Sequence, residues 1–234
     1  MRRLFVPPAQ LETPSVRLNP EQARYLTAVL RLRKGDALEI FDGCGGRYSA
    51  ELESAEILRV GARLAEEVRA LDVVLAQGLA KGEKMDLVVQ KATELGVSRI
   101  VPLIAERSVV KLSAERGASR TERFRRIAQE AARQCGRADV PVIDEPQSLA
   151  GLLQTDRLCL VLDPAQSLRL SAAARGISRL LLAIGPEGGF SAAELELSQH
   201  AGALTVGLGP LVLRTETAGL AALAVLQHLH GQLG

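Results

Sequence analysis

The chain has 234 residues, of which 47% are hydrophobic, only 3% aromatic and none Trp, so a sizeable core can form and has to be built from Leu, Val, Ile and Ala. The formal net charge is +2, no apolar run approaches about 18 residues, and the start (Met-Arg-Arg-Leu-Phe-Val-Pro-Pro) has no apolar stretch or cleavage site behind it. Membrane spans and export are therefore not expected, and three cysteines without paired spacing (Cys44, Cys135, Cys159) argue for a reducing, cytoplasmic setting over a disulfide framework or zinc site.

Residues 20–31 read as a helix and 37–42, 47–55 and 58–66 as strands, the first two joined as a hairpin by Gly43-Cys44-Gly45-Gly46. This is expected to be a small β-rich domain over residues 1–70, with the turn at Leu71 a hinge to a second domain over 71–234. From there the pattern alternates: strand 73–79, helix 85–95 stopped by Gly96, strand 99–104, helix 121–135, helix 149–153, strand 158–162, strand 180–184, a helix from Ser191, strand 204–208 and a last helix from Thr215. Ser119 with Glu122, and Ser191 with Glu194, have capping-box spacing and place two of the helix starts. Such alternation predicts an α/β domain with a parallel sheet covered by helices, its ligands lying beyond the carboxyl ends of the strands.

Charge is unevenly spread. Arg2, Arg3, Arg17, Arg24, Arg31, Arg33 and Lys34 face only Glu12 and Glu21 in the first 34 residues. Arg107, Lys111, Arg116, Arg120, Arg123, Arg125, Arg126, Arg133 and Arg137 face only Glu115, Glu122 and Glu130 in residues 107–137. Arginine's planar fork suits phosphate, so both patches are candidate nucleic-acid surfaces, with a solvated helix face as the alternative.

Several chemistries are excluded by context. Gly43-Cys44-Gly45-Gly46 joins two strands and does not open a helix, no P-loop sequence occurs, and His200, His228 and His230 lack ligand spacing. What remains are two strand-to-helix loops. Residues 184–191 (Ile-Gly-Pro-Glu-Gly-Gly-Phe-Ser) carry three glycines and one charge, Glu187. Residues 204–218 run through Leu208, Leu211, Val212 and Leu213 to Arg214, Thr215 and Glu216. A loop that apolar is expected to be buried or to line a slot whose occupant satisfies its backbone. Plain turn geometry for the glycines, and an Arg214–Glu216 ion pair or a helix-dipole role for Glu216, are the structural alternatives.

These segments, together with residues 81–86 (Lys-Gly-Glu-Lys-Met-Asp), 90–97 (Gln-Lys-Ala-Thr-Glu-Leu-Gly-Val) and 130–137 (Glu-Ala-Ala-Arg-Gln-Cys-Gly-Arg), resemble the RsmE family of ribosomal RNA methyltransferases in the SPOUT superfamily. Residues 29–36 and 41–43 resemble that family's PUA-like amino-terminal domain, so the likeness spans the chain in order. It implies a trefoil-knotted parallel-sheet domain after the PUA-like one, a homodimer, S-adenosyl-L-methionine as cofactor, no metal, and methylation of uracil N3 of one uridine in 16S rRNA within the small ribosomal subunit. Carried onto this chain, the cofactor site comprises Leu162, Asp163, Pro164, Ile184, Gly185, Pro186, Glu187, Gly188, Gly189, Leu208, Gly209, Pro210, Leu211, Val212 and Leu213.

Uracil N3 carries a proton at neutral pH, so a cation is needed to favour the deprotonated ring. Arg214 is the candidate, with Glu216 or Glu187 accepting the proton or orienting Arg214. Arg2, Arg3, Arg31, Arg33, Arg120, Arg123, Arg126, Arg133 and Arg137 are the candidate phosphate ligands. The last helix, with residues 218–226 almost wholly apolar, suits core packing or a subunit interface. Two other readings stay open: a noncatalytic RNA-binding dimer, and a SPOUT methyltransferase acting on tRNA or a ribose hydroxyl.

Overall fold

The computed structural model describes residues 2–65, 70–80, 82–108 and 114–234; Lys81, Lys111, the Arg116 side chain and the end of the strand expected at 58–66 lie outside the described residues. The chain separates into two compact units, Met1–Val68 with Gln129–Val140, and Arg69–Ala128 with Pro141–Gly234.

In the first unit β1 (Arg3–Phe5), β2 (Ser15–Arg17), β3 (Ala37–Phe41), β4 (Arg47–Ser54) and β5 (Ile57–Arg63) form one sheet in the order β1-β3-β4-β5-β2. β1 runs parallel to β3 and the other pairs are antiparallel. The expected β3–β4 hairpin is present. Asp42 closes its turn by accepting from the amides of Cys44 (2.7 Å) and Gly46 (2.9 Å). The helix expected over 20–31 is shorter than its pattern. α1 (Pro20–Arg24) starts at an Asn19–Gln22 capping box, then widens into a π-helical turn over Tyr25–Val29, and Arg31 reverses the chain at φ 55°. Leu26 is thereby turned into the core with Leu4, Val6, Leu38, Ile40, Leu52 and Leu58, and that packing outweighs regular helix geometry.

The second unit holds β6 (Asp72–Gly78), α2 (Lys84–Glu94), β7 (Arg99–Ile104), α3 (Ala114–Cys135), β8 (Val142–Ile143), β9 (Gln147–Ser148), α4 (Leu149–Leu152), β10 (Leu158–Leu162), α5 (Leu170–Ala173), β11 (Arg179–Ile184), α6 (Ala192–His200), β12 (Leu204–Val206) and α7 (Thr215–Leu229). Residues of α3 from 129 onward group with the first unit. The sheet is parallel throughout, ordered β12-β10-β11-β6-β7-β8, with β9 also on β7. Both faces are buried, which explains strands that read as continuous apolar runs. Val74, Ala76, Val101, Leu103, Val161, Leu181 and Ala183 share one core, whereas α7 packs on β6, β11 and α2.

Ser191 caps α6 in the capping box read from the sequence. Ser119 does not cap α3: the helix begins earlier, at Ala114, and Ser119 is an exposed mid-helix residue. Buried Gly117, Thr121, Phe124, Ala128, Ala131 and Ala132 follow helical spacing, so the buried stripe continues N-terminal to the apparent cap and carries the helix with it.

Candidate functional site

The connections leaving β6 and β11 depart in opposite senses along the sheet, and a crevice opens outside the carboxyl ends of these two neighbours. The two strand ends are brought very close: a Cβ on Gly78, the last residue of β6, would lie 2.5 Å from the Pro186 nitrogen, so only glycine fits there. After β11 the chain turns tightly, with the Gly189 amide donating to the Pro186 carbonyl (2.9 Å) and Gly189 at φ 68°, before Ser191 starts α6.

The loop after β12 is fastened at both ends. At its start the Gly207 amide donates to the Leu168 carbonyl (2.8 Å) and the Leu170 amide to the Gly207 carbonyl (3.0 Å). At its end the Thr215 hydroxyl donates to the Gly185 carbonyl (2.6 Å) while accepting from Gln77 Nε2 (2.9 Å). Gln77 is fully buried in β6 and its Oε1 has no hydrogen-bond partner. A three-residue chain from β6 through α7 to the β11 loop thus sets the spacing of the crevice walls.

The crevice holds a cavity of about 520 Å³ lined by Lys84, Leu162, Pro164, residues Ile184 to Gly189, and Val212, Leu213, Arg214, Thr215 and Ala218. A smaller cavity of about 50 Å³ shares Leu162, Pro164, Leu213 and Ala218 and adds Leu208, Gly209 and Leu211. Of the fifteen expected cofactor residues, Asp163 and Pro210 line neither cavity. Asp163 instead closes the turn after β10, accepting from the Ala165 amide (3.0 Å) and Gln166 Nε2 (3.1 Å). The apolar loop is a wall and not a buried segment: Leu211 and Val212 are 75% and 79% exposed.

Arg214 and Glu187 line the larger cavity, but Glu216 does not. The Glu216 carboxylate lies behind Lys84, with Lys84 Nζ 3.1 Å from Glu216 Oε1 and 3.9 Å from Glu187 Oε1. Burial pushes the Glu216 carboxyl up, yet its own backbone amide, the Lys84 ammonium and the nearby Arg214 charge more than offset this and hold it below its ordinary value. Glu216 is therefore a stable carboxylate and a weak base. Lys84 falls just before the helix expected at 85–95, and only in the structure, where α2 begins at Lys84, does it stand out as a cation opposing the helix dipole. Thr215 and Gln77 were likewise missed, since a buried strand glutamine declares its partners only in three dimensions.

The nine candidate phosphate ligands divide. Arg3 is buried, stacked 4.8 Å over Phe41 and bonded to Glu39 (2.7 Å) and the Arg137 carbonyl (3.2 Å). Arg137 is buried against Asp139 at 2.7 Å. Neither guanidinium is offered to a phosphate, which corrects the reading from charge alone. Arg133 stacks on Tyr25 at 4.1 Å and pairs with Glu130, and Arg123 pairs with Asp86. Arg2, Arg31, Arg33 and Arg126 are exposed and Arg120 half-buried.

Among the described residues no group of three His, Cys, Asp or Glu is placed to hold a metal, and no helix is long and apolar enough to cross a membrane. Burial pushes the Cys159 thiol up to about 11, consistent with a packing role in the sheet core.

Residues 67–227 match the family model of an RNA methyltransferase domain, and residues 18–59 that of an RNA methyltransferase PUA domain. Ribosomal RNA small subunit methyltransferase E of Bacillus subtilis (strain 168) is 35% identical over 93% of this chain and 91% of its own length. The protein of the same description from Synechocystis is 34% identical over 97% and 77%. Among solved structures, ribosomal RNA small subunit methyltransferase E from Neisseria gonorrhoeae, bound to S-adenosyl methionine, superposes with a TM-score of 0.88 at 30% identity, covering 98% of each chain. A putative methyltransferase from Legionella pneumophila in complex with the cofactor SAM gives 0.88 at 36%, covering 97% and 96%. With a parallel-sheet methyltransferase domain following a β-rich PUA-type domain in sequence, the chain belongs to the ribosomal RNA small subunit methyltransferase E family.

Proposed function

We propose that this protein transfers a methyl group from S-adenosyl-L-methionine to N3 of a uridine in 16S rRNA, acting in the cytoplasm on the small ribosomal subunit. The observation that carries the reading is the apolar crevice at the β6/β11 strand ends with a charged rim, in a chain whose relative from Neisseria gonorrhoeae binds S-adenosyl methionine. The residues present fit such a donor. Leu162, Pro164, Leu208 and Leu213 supply apolar faces for a flat base, the 185–189 and 209–213 backbones supply edge hydrogen bonds, and Glu187 supplies an acid for cationic groups.

When bound, the donor supplies an electrophilic methyl group on a sulfonium. The walls align base and donor and exclude water. Arg214 stabilises negative charge on a uracil carbonyl oxygen, and Glu187, on the cavity wall, carries the N3 proton away. Glu216, behind Lys84, takes no proton.

Residues 1–70 form the PUA-like RNA-binding domain and 71–234 the methyltransferase domain in this reading. The exposed arginines Arg2, Arg31, Arg33 and Arg126 hold phosphates. The half-buried apolar positions Leu220, Ala221, Ala224 and Val225 of α7 are the proposed face of a homodimer.

Unmodified small subunits incubated with protein and donor, then digested to nucleosides for mass spectrometry, are expected to yield 3-methyluridine. A 2′-O-methyl product, or none, overturns the reading. Arg214→Ala is expected to slow transfer by about 100-fold while calorimetric donor affinity is kept.

A further inference from the structure

Lys84 stands where its own helix disfavours it. As the first residue of α2 it meets the positive end of the helix dipole, yet its ammonium is held there by Glu216 at 3.1 Å, with Glu187 at 3.9 Å. Each side gives something up, Lys84 a favourable helix position and Glu216 most of its contact with water. Glu216 is nearly buried, its side chain 13% exposed, and its Oε2 is buried without a hydrogen-bond partner. Besides its own backbone amide, the partner this carboxylate holds is the ammonium that reaches the cavity wall. Local rules are broken in this manner where a site requires it.

Resting on the methyltransferase reading above, we propose that Lys84 is a catalytic residue: anchored by Glu216, its ammonium faces the target base and stabilises the charge that builds on a carbonyl oxygen as uracil N3 loses its proton. An imide edge presents an acceptor, an N–H and a second acceptor. Lys84 and Arg214 line the same cavity, so one cation is available for each of the two oxygens. Cytosine places an amine where one oxygen would be, and an ammonium repels that donor, so the pair selects uracil.

In the step itself the N3–H bond breaks with its electron pair left on nitrogen, and the proton leaves through Glu187 to water. That pair then forms the N3–CH3 bond while the donor's carbon–sulfur pair stays on sulfur. Lys84 keeps its protons throughout. Its contribution is electrostatic, through lowering the energy of the uracil anion.

The test uses the full-length protein, unmodified 16S rRNA in small subunits, and single-turnover rates measured against pH. Lys84→Met is expected to slow transfer about 100-fold at pH 7, to move the pH–rate midpoint upward, and to leave donor affinity within about threefold by calorimetry. RNA containing 5-fluorouridine, whose N3 proton is more acidic, is expected to recover most of the lost rate, and Lys84→Arg part of it. Unchanged rate in Lys84→Met overturns the proposal. So does a loss that tracks donor affinity, which would make Lys84 a donor ligand, or a loss that 5-fluorouridine does not relieve, which would make it structural. If the unsubstituted protein forms no 3-methyluridine, the methyltransferase reading itself fails, a result separable from failure of Lys84 alone.

Discussion

Inside the first unit Glu39 receives two arginines at once. Arg3 Nε donates to Oε1 at 2.7 Å, and Arg47 donates to Oε1 at 3.2 Å and to Oε2 at 2.9 Å. Burial raises the Glu39 carboxyl, but the bonds from Arg47 and Arg3 and their charges outweigh it, leaving it below its usual 4.5. A depressed acid contributes stability that is complete above its unfolded value and lost as pH falls through the folded one. Glu39→Gln leaves the buried Arg3 guanidinium uncompensated, so at pH 7 it is expected to cost about 3 kcal/mol in denaturant unfolding. The difference from the unsubstituted protein should close as pH drops below 4.5. A charge count had offered Arg3 to RNA because a count is blind to pairing: Glu39 is 36 positions away and meets Arg3 only through the parallel β1–β3 register. The same blindness hid the Lys84–Glu216 pair, whose partners lie on α2 and α7.

Helices make the reverse point, since two identical-looking signals had opposite fates. Ser191 and Glu194 form a real box that also reaches across to the Glu106 amide (2.9 Å), whereas Ser119 lies within α3. Ser191→Ala is expected to cost about 1 kcal/mol, and Ser119→Ala to be neutral within about 0.5 kcal/mol, both by chemical denaturation. Strand and helix identities in the second unit were legible because each strand is a short apolar run between polar punctuation, and β7, β10 and the start of α7 fall where periodicity put them. The start of α3 was not, because the capping rule is local and the buried stripe of Gly117 and Thr121 is set by tertiary packing. The π-helical turn at 25–29 was hidden for the same reason.

For the molecule as a whole, alternation announced a parallel sheet but not its order, and therefore not that β6 and β11 are the neighbours between which the site opens. The two loops stood out in the sequence because each leads from an apolar strand through a Gly-Pro turn into a helix. Threading of a knotted kind lies outside what periodicity can carry, and that expectation came from family likeness. RNA binding belongs to this scale too. Removing exposed Arg33 or Arg126 is expected to weaken affinity for all RNA sequences alike and to reduce the slope of log K against log salt by about 1 per charge, measured by filter binding. Burying Arg3 and Arg137 means that their removal should act on folding instead.

The wall made by Leu211 and Val212 stands in water, at 75% and 79% exposure. Large aliphatic side chains kept wet are harmless in a dilute solution and become adhesive in a dense one. They are the most exposed large aliphatic side chains among the described residues, so a ligand that covered them is expected to reduce self-association at high protein concentration as well as to fill the site.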